Sequence, residues 1–540
     1  MKFRVGLSDV AVFLLVLMIM PQVPARSDVS AQGIPIIQWK FLSAAEKAAV
    51  DKSVETIRAE RLKNVSLLIS DEWGSYTGAI QLTQTSTSFI DLPERAHIPS
   101  RALWPEYTLM TPSRSYYVRA PLKSVEPSRG VWSFNDAEYD YSLALRHGMI
   151  DFHIFVGPYL GTFQDSNQEP PWAQHLNYTS LKGVLHEYVQ RLVTRFKGRI
   201  QYYHLWAEAN TNSGNANWPL SNIVDVIKVE AEAIRSIDPK ARICIDLMNI
   251  SPDLLPVFGR GSNWTTEFFV QQLLAAAVPF GVIGIETHYG EGDAWTEGNI
   301  ATLYYRLITL SKFGKPIYVF EDGLESRIDP NSIKLDYWAP WHGEPTEAKQ
   351  AEYMVAETLV YLGNPSVVGV RWYQLQDEPW DAPQHRYQGL LTYPNGSRKE
   401  SFYALRNLWG NLTVHTTIQS MDGVVMFTGL AGNYTASVEG YLPIMFHVAE
   451  GLSAQSFNIT LVSVKPQTVS TSTSIVTSSA ASEENSSVTI MMKRLLATRV
   501  GNILLAALAM TIVIAALTVV GQRIKSLSRR RKERSVTMDK

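Results

Sequence analysis

Residues 200–210, IQYYHLWAEAN, indicate the fold most directly, because a short β-rich run there ends at an acid, Glu208. The stretch KPIYVFEDG, residues 315–323, repeats this arrangement and closes on Glu321. Around them, strand-like runs alternate with segments of helical apolar spacing, which is the pattern of successive βα units. Parallel strands of such units end at one edge of their sheet, so we expect the two glutamates to share a site there.

Eight strand-like runs predict a (β/α)8 barrel, also called a TIM barrel. Their near-continuous Val and Ile content suits strands that are buried on both faces. A doubly wound sheet is the rival fold, but no glycine-rich phosphate turn follows the first run. The Thr-, Ser- and Pro-rich stretch from Gly74 to Ser115 is interpreted as an insertion near the barrel mouth. In chain order the eight runs are NVSLLISDE, SYYVRAPL, IDFHIFVGPYL, IQYYHLWAE, ARICIDLMNI, GVIGIETHYG, KPIYVFEDG and SVVGVRWYQLQ.

The two ends of the chain predict export and membrane anchoring. The first residues have the features of a signal peptide. They are a basic n-region, an apolar run from Val10 to Met20 and small residues near Ala25 that suit a cleavage site. An uncharged run from Ile503 to Gly521 has the length of a bilayer span, and the basic segment after it predicts a cytoplasmic tail. We therefore expect a single-pass cell-membrane protein with an extracellular N-terminal domain. Its predicted parts are a signal peptide (1–25), a (β/α)8 domain (33–407), a small all-β, sandwich-like domain (408–466), a Ser/Thr-rich stalk (467–498), a transmembrane helix (499–521) and a basic cytoplasmic tail (522–540).

Composition and cysteine usage exclude several classes of function. A formal net charge of −2 gives no support to nucleic-acid binding. Cys244 is the only cysteine, so no intrachain disulfide is possible, and its place in the strand-like RICIDLM predicts an inert buried thiol. No HExxH, paired-cysteine or EF-hand spacing occurs, so we expect no metal and no cofactor. Several Asn-x-Ser/Thr sequons predict an extracellular glycoprotein.

A pair of carboxylates suits the hydrolysis of glycosidic bonds. The transition state resembles an oxocarbenium ion, so cleavage needs one carboxylic acid to protonate the leaving oxygen and one carboxylate on the opposite face of the sugar. Glu208 and Glu321 are the candidates, and the alternative role of each is an exposed strand-end ion pair. Asp322 is an alternative to Glu321, although strand alternation turns it to the opposite face.

The same residues resemble clan A of the retaining glycoside hydrolases, a group of (β/α)8 enzymes that includes cellulases, β-xylosidases and β-galactosidases. The likeness spans roughly residues 64–408. YYHLWAEAN resembles the fourth-strand signature WNEPN, and YVFEDG resembles the seventh-strand signature (T/S)E-x-G. The resemblance implies that Glu208 is the acid/base and that Glu321 is the nucleophile of a retaining mechanism.

The resemblance also implies residues that bind the substrate or orient the nucleophile. YVRAPLKSVEPSRGVW resembles the second strand and its loop, so Arg119 would hydrogen-bond the nucleophile. In the sixth strand, GIETHYGEG, Tyr289 would orient the nucleophile, with His288 as the alternative. VGVRWYQLQDE resembles the eighth strand, so Trp372 would be a sugar platform, and Asn210 flanks the acid/base. Packing is the alternative role of Asn210, Tyr289 and Trp372, and a structural ion pair is that of Arg119.

One departure from the clan pattern bears on activity. Ala207 stands where the clan has the asparagine before the acid/base, and Ala209 replaces the following proline. The usual contact to the sugar 2-hydroxyl therefore lacks its donor, so the substrate differs at that carbon, another side chain substitutes, or activity is reduced or absent. The sequence thus predicts a retaining glycosidase acting on a β-linked oligosaccharide, polysaccharide or glycoconjugate. The alternative is a non-catalytic glycan-binding or cell-envelope structural protein on a degenerate barrel.

Overall fold

A computed structural model describes residues 28–30, 34, 37–93, 112–156, 170–173, 176–206, 208–210, 218–249, 264–287, 299–331, 341–381, 383 and 385–464. The predicted signal peptide, stalk, transmembrane helix and cytoplasmic tail lie outside these residues. Among the helices within these ranges, none combines the length and the apolar character that a bilayer crossing requires.

The strands of the described residues fall into three sheets. They are β1 (Asp28–Ser30), β2 (Leu62–Asp71), β3 (Gly74–Ser75), β4 (Gly78–Thr87), β5 (Ile90–Pro93), β6 (Ser115–Val118), β7 (Asp151–Val156), β8 (Tyr202–Leu205), β9 (Arg242–Met248), β10 (Val282–Glu286), β11 (Ile317–Asp322), β12 (Val367–Trp372), β13 (His415–Ser420), β14 (Val424–Leu430), β15 (Gly432–Ser437), β16 (Ile444–Val448) and β17 (Ala454–Thr460).

The helices lie mostly between the strands of the second sheet. They are α1 (Ala44–Thr56), α2 (Leu122–Val125), α3 (Asn135–Arg146), α4 (Tyr178–Phe196), α5 (Leu220–Ile237), α6 (Thr266–Ala275), α7 (Ile300–Ser311), α8 (Glu347–Leu362) and α9 (Glu400–Leu412), with one π-helical turn (Ile57–Arg61) directly after α1.

The second sheet is the predicted barrel. Its eight strands, β5 to β12, are neighbours in chain order, and the pairs that hydrogen-bond are all parallel. The first strand, β5, lies against the second, β6, and so brings the two ends of the sheet together. Amphipathic helices cover the outside, and one continuous apolar core fills the layer between them and the strands. The C-terminal ends of all eight strands therefore meet at one face.

Seven of the eight predicted barrel strands are confirmed, and the first is wrong. NVSLLISDE is β2, which pairs antiparallel with β14 in a different sheet. The barrel begins instead with β5, inside the stretch that the sequence suggested was an insertion. β2 alternates buried and exposed residues, because one of its faces packs on a core and the other meets solvent. That alternation is typical of antiparallel sheets, whereas barrel strands are buried on both faces.

The all-β region is built from both sides of the barrel sequence. One sheet has the order β1-β14-β2-β17, with β3 paired to β2, and the other has the order β13-β4-β15-β16. The predicted C-terminal strands GVVMFTGL, YTASVEGY and FNITLVSV are confirmed as β14, β15 and β17, and β2 and β4 from before the barrel complete the two sheets. Their shared core consists of Val65, Leu67, Ile69, Ile80, Leu82, Val414, Ile418, Val425, Phe427, Tyr434, Ala436, Val438, Val448, Ile459 and Leu461.

Arg61, at the end of the π-helical turn, joins this region to the barrel. Its Nε donates to the carbonyl of Leu362 at 3.0 Å, and its Nη2 donates to the carbonyls of Asn364 at 2.7 Å and Val367 at 2.5 Å. These carbonyls lie between α8 and β12, so one guanidinium satisfies three acceptors at that corner of the barrel. Burial lowers the pKa of Arg61.

Candidate functional site

The predicted acids lie at the ends of the fourth and seventh barrel strands. Glu208 follows the end of β8 by three residues, and Glu321 is the penultimate residue of β11. Because the sheet is parallel, both stand at the C-terminal face, where active sites of such barrels lie. Trp206 and Glu208 have φ values of 50° and 52°, in the left-handed region that side chains other than glycine rarely adopt. Backbone strain of this kind is concentrated at functional sites.

The segment that carries Glu208 is tied to the helix behind it. Trp206 donates from its indole Nε1 to Glu230 Oε2 at 2.6 Å, and Glu230 belongs to α5. Both side chains are buried. Burial raises the pKa of Glu230 to about 8, so its carboxyl is largely protonated at neutral pH. The contact fixes the backbone two residues before Glu208.

A bulge in β11 separates the two neighbouring acids of the sequence FED. Val319 pairs with Ile285 and Val370, but Glu321 then pairs with Glu286, so Phe320 is the extra residue of the strand. A bulge of this kind re-aims the side chains that follow it. Phe320 and Glu321 consequently both contact one side chain of the neighbouring strand, Arg371.

Asp322 faces the helices. Its Oδ2 accepts a hydrogen bond from Tyr361 at 2.9 Å and its Oδ1 accepts one from Tyr353 at 3.4 Å, and both tyrosines belong to α8. Asp322 is fully buried. Burial, and secondly the charge of Asp322, raise the pKa of the neighbouring Glu357 well above its usual range. As strand alternation predicted, Asp322 points away from Glu321, and it is part of a structural network.

Arg371 forms an ion pair with Glu321, although the sequence did not predict it as a site residue. Its Nη2 donates to Glu321 Oε1 at 2.7 Å and its Nε donates to the carbonyl of Phe320 at 2.6 Å. The side chain of Arg371 is 3% exposed and that of Glu321 is 13% exposed. A signal was present in the sequence, because a cation inside the apolar run VVGVRW is buried only if it has a charged partner.

Arg119 lies one residue beyond β6 and is half-buried. It lines a cavity of about 380 Å³ formed by the segment after β6 together with α2 and α3, whose wall also includes Asp136 and Asp140. Neither predicted catalytic glutamate lines this cavity. The contact to Glu321 that the clan resemblance assigns to an arginine is made here by Arg371, from the eighth strand.

Asn210 and Trp372 occupy packing positions. The Asn210 amide donates to the carbonyls of Met248 and Trp264 at 2.9 and 3.1 Å and accepts from the Met248 N–H at 2.8 Å, so its polar atoms are used by the backbone. Trp372 has no exposed surface and donates to Asp91 at 3.0 Å on the outer face of the sheet, so it offers no face to a sugar. Neither position fits the predicted substrate-binding role. Ala207, His288 and Tyr289 lie outside the described residues.

Inside the barrel, beneath the site, lies a buried polar network. His153 Nδ1 and His204 Nε2 are 2.9 Å apart, His204 Nδ1 lies 3.0 Å from Asp246 Oδ2, and the Cys244 thiol donates to Asp246 at 3.1 Å. Donor atoms of His204, Cys244 and Asp246 lie within 4.8 Å of one another, which makes these three the candidate metal ligands of the described residues. Burial raises the pKa of Cys244 well above its usual range, so this group is a thiol that donates to Asp246. The mutual hydrogen bonds account for the network, and the prediction of Cys244 as a buried thiol is confirmed.

Comparison with known proteins identifies related sequences. The sequence model of glycosyl hydrolase family 10 matches residues 119–408. Endo-1,4-beta-xylanase B of Thermotoga neapolitana is 24% identical over 315 residues, which cover 56% of this chain and 81% of that protein. Endo-1,4-beta-xylanase C of Phanerodontia chrysosporium is 25% identical over 178 residues, which cover 32% of this chain and 41% of that protein. The chain thus spans about two fifths of the fungal relative.

A likeness to solved structures is also found. Xylanase 10B from Thermotoga petrophila RKU-1 in complex with xylobiose superposes with a TM-score of 0.44 at 17% identity, over 60% of this chain and 94% of that chain. The family model matches more than half of the chain, from the end of the second barrel strand to helix α9. The chain therefore belongs to glycosyl hydrolase family 10, within the clan that its sequence resembles, and is a retaining glycoside hydrolase.

Proposed function

We propose that this protein hydrolyses β-1,4-linked xylan by a double displacement at Glu208 and Glu321. The substrate class is taken from the related endo-1,4-beta-xylanases. One observation carries the assignment of the two glutamates: they stand at the same face of one parallel barrel, at the ends of its fourth and seventh strands. Two carboxyl groups so placed can approach a glycosidic bond from opposite sides.

In the first step, a Glu321 oxygen attacks the anomeric carbon and forms a glycosyl ester while the bond to the leaving oxygen breaks. Glu208 gives its proton to that oxygen, so the leaving sugar departs as a neutral alcohol. In the second step, Glu208 takes a proton from water, the water oxygen attacks the anomeric carbon, and Glu321 leaves as a carboxylate. The product keeps the configuration of the substrate.

The second part of the proposal concerns kcat, on which Ala207 and Ala209 bear. The clan asparagine before the acid/base binds the sugar 2-hydroxyl, and an alanine provides no such donor. Since that contact strengthens in the transition state, we expect a lower kcat than a site with the asparagine would give. Ala207→Asn should therefore raise kcat on xylan, with KM changed less.

The test of the proposed function is hydrolysis of β-1,4-xylan and of 4-nitrophenyl β-xylobioside by the purified full chain. Glu321→Gln should abolish turnover of both. Glu208→Ala should slow the xylan reaction most, and azide should restore turnover of the activated aryl substrate by attacking the glycosyl ester in place of water. Absence of turnover by the wild type, or turnover by Glu321→Gln at the wild-type rate, overturns the proposal.

We further propose that the enzyme is anchored in the cell membrane by the span at 499–521, with its catalytic domain outside and its basic tail in the cytoplasm. The support is the order of segments in the sequence, from an export signal to a span followed by eight Lys and Arg against two acids. Protease added to intact cells should remove the catalytic domain and spare an epitope placed on the tail. Recovery of the untreated protein in the soluble fraction contradicts this topology.

A further inference from the structure

We propose that Arg371 is the positioning residue of the nucleophile, and that it keeps the Glu321 carboxylate ionised and fixed in orientation. This inference rests on the proposed function, because it takes Glu321 as the nucleophile. The clan resemblance implies this role for Arg119, at the end of the second strand. Here an arginine of the eighth strand has the contact instead.

The guanidinium binds Glu321 and the backbone that carries it. Nη2 donates to Glu321 Oε1 at 2.7 Å, and Nε donates to the carbonyl of Phe320 at 2.6 Å. Two donors of one planar group thus engage two consecutive residues across the β11 bulge. The carboxylate oxygen is therefore held relative to its own strand, and a lysine, with a single ammonium, cannot reproduce both contacts in the same geometry.

Two aromatic rings keep the guanidinium in place. Its central carbon lies 4.5 Å from the centroid of Tyr117, on β6, and 4.7 Å from that of Phe320. Cation–π contacts at these distances stabilise a cation that is shielded from water. An arginine that is 3% exposed requires an anion, so the packing that buries Arg371 favours the charged form of its partner.

Within the described part of the barrel interior, His153 and Cys244 add no positive charge beside this pair. Burial lowers the pKa of His153 well below its usual range, so this imidazole is neutral. Burial also raises the pKa of Cys244, which stays a thiol. Tyr117 faces Arg371 from β6, and His204 engages Asp246 deeper in the barrel. Glu286, the register partner of Glu321 on β10, is a further acid on the neighbouring strand.

The experiment compares Arg371→Met and Arg371→Lys with the wild type through the pH dependence of kcat and kcat/KM for 4-nitrophenyl β-xylobioside. Loss of the ion pair in Arg371→Met should lower kcat on the order of 100-fold, with little change in KM. The acid limb of the profile should move about 1 to 3 pH units upward, because the nucleophile then needs a higher pH to ionise. Arg371→Lys should fall between the two.

A matched control is Arg306→Met. Arg306 also forms a part-buried ion pair, with Glu267, but this pair joins α6 and α7 on the outside of the barrel. Its removal should lower the free energy of unfolding and leave the acid limb unmoved. A merely structural role of Arg371 predicts the same behaviour for both arginines, so the pH profile separates the two roles.

The outcomes distinguish a failure of the proposed function from a failure of the role of Arg371. If the wild type does not turn over the substrate, or if Glu321→Gln turns it over at the wild-type rate, both the proposed function and the role of Arg371 are wrong. If the wild type is active, Glu321→Gln is inactive and folded Arg371→Met keeps the wild-type kcat and acid limb, only the role of Arg371 is wrong. If Arg371→Met does not fold, Arg371→Lys decides, and a wild-type profile in that variant overturns the inference.

Discussion

On the helix-facing side of the barrel sheet, three buried acids meet neutral donors, whereas on the axis-facing side Glu321 meets an arginine. Asp91 accepts from the indoles of Trp372 and Trp409, Glu230 accepts from Trp206, and Asp322 accepts from two tyrosines. On the other side, Glu321 is paired with Arg371.

The difference lies in which protonation state the partner favours. An indole or phenol donor stabilises a carboxyl group without compensating its charge, so desolvation dominates and raises the pKa of Asp91 to about 7 and that of Glu230 to about 8. A guanidinium compensates the charge and favours the carboxylate. The charge of the partner therefore separates Asp91 and Glu230, which hold the fold together, from Glu321, the proposed nucleophile.

The largest expected difference in activity is between variants of two adjacent residues, Glu321 and Asp322. Glu321→Gln should lower kcat by about 10⁴-fold or more, because an amide cannot form the glycosyl ester. Asp322→Asn should keep activity within about tenfold of the wild type but lower the free energy of unfolding by about 1 to 3 kcal/mol, since it disturbs the buried bonds to Tyr353 and Tyr361. Steady-state kinetics and urea unfolding of both variants measure the two effects. An inactive and fully stable Asp322→Asn would contradict the division.

The fold could be predicted from the sequence where strands are buried on both faces, as in RICIDLM and VVGVRW. The first barrel strand could not, because β5 has four residues and its middle carries an acid, Asp91. The pairing of β2 and β4 with strands more than 300 residues later is equally invisible locally, since register follows from tertiary contacts.

For the candidate site, the sequence locates the two glutamates on the fourth and seventh strands, because each follows a strand-like run. Which face a residue occupies is harder to predict. Trp372 and Arg371 are neighbours in the sequence. The clan resemblance predicts a role for the tryptophan, whereas strand alternation and the bulge in β11 place the arginine beside Glu321. Charge inside an apolar run is the better signal, because only a paired charge is buried there.

A titration of stability tests the helix-facing side next. The ordinary pKa of Glu230 is 4.5 and its folded value is about 8. Between these values the folded protein keeps a proton that the unfolded chain has lost, so this group makes the free energy of unfolding fall as pH rises through that window. At about 1.4 kcal/mol per pH unit the loss is about 5 kcal/mol. Glu230→Gln should remove this dependence while its amide oxygen still accepts from Trp206.

Urea unfolding from about pH 4.5 to about pH 9 measures the slope. The control is Glu232→Gln, two residues along the same helix, whose side chain is 55% exposed. It should leave the slope unchanged. Equal slopes in the wild type and in Glu230→Gln would mean that Glu230 ionises freely in the folded protein, and the comparison of the two sides would fail at this position.

Removing one indole donor should have a smaller effect. Trp409→Phe takes away one of the two indole N–H groups that bind Asp91 and leaves a smaller ring, so we expect a loss of about 1 to 3 kcal/mol in the free energy of unfolding. That hydrogen bond lowers the pKa of Asp91 against the effect of burial. Without it, stability should keep falling above about pH 7, where the Asp91 contribution is level in the wild type. Trp380→Phe, at an indole–carboxylate contact that is half exposed, is the control and should cost little.

The smallest effect is expected inside the barrel, at Cys244. Its thiol is buried, donates to Asp246 and has a raised pKa, so a disulfide reagent should not label the native protein, while Ser75→Cys, at an exposed strand, should react at once through its new thiol. Cys244→Ser keeps a donor to Asp246 and should change the free energy of unfolding by less than about 1 kcal/mol. Labelling of Cys244 should follow global unfolding as urea increases. Labelling in the absence of urea would mean that the barrel interior opens locally, and a carboxylate network beneath Glu321 would then be open to water.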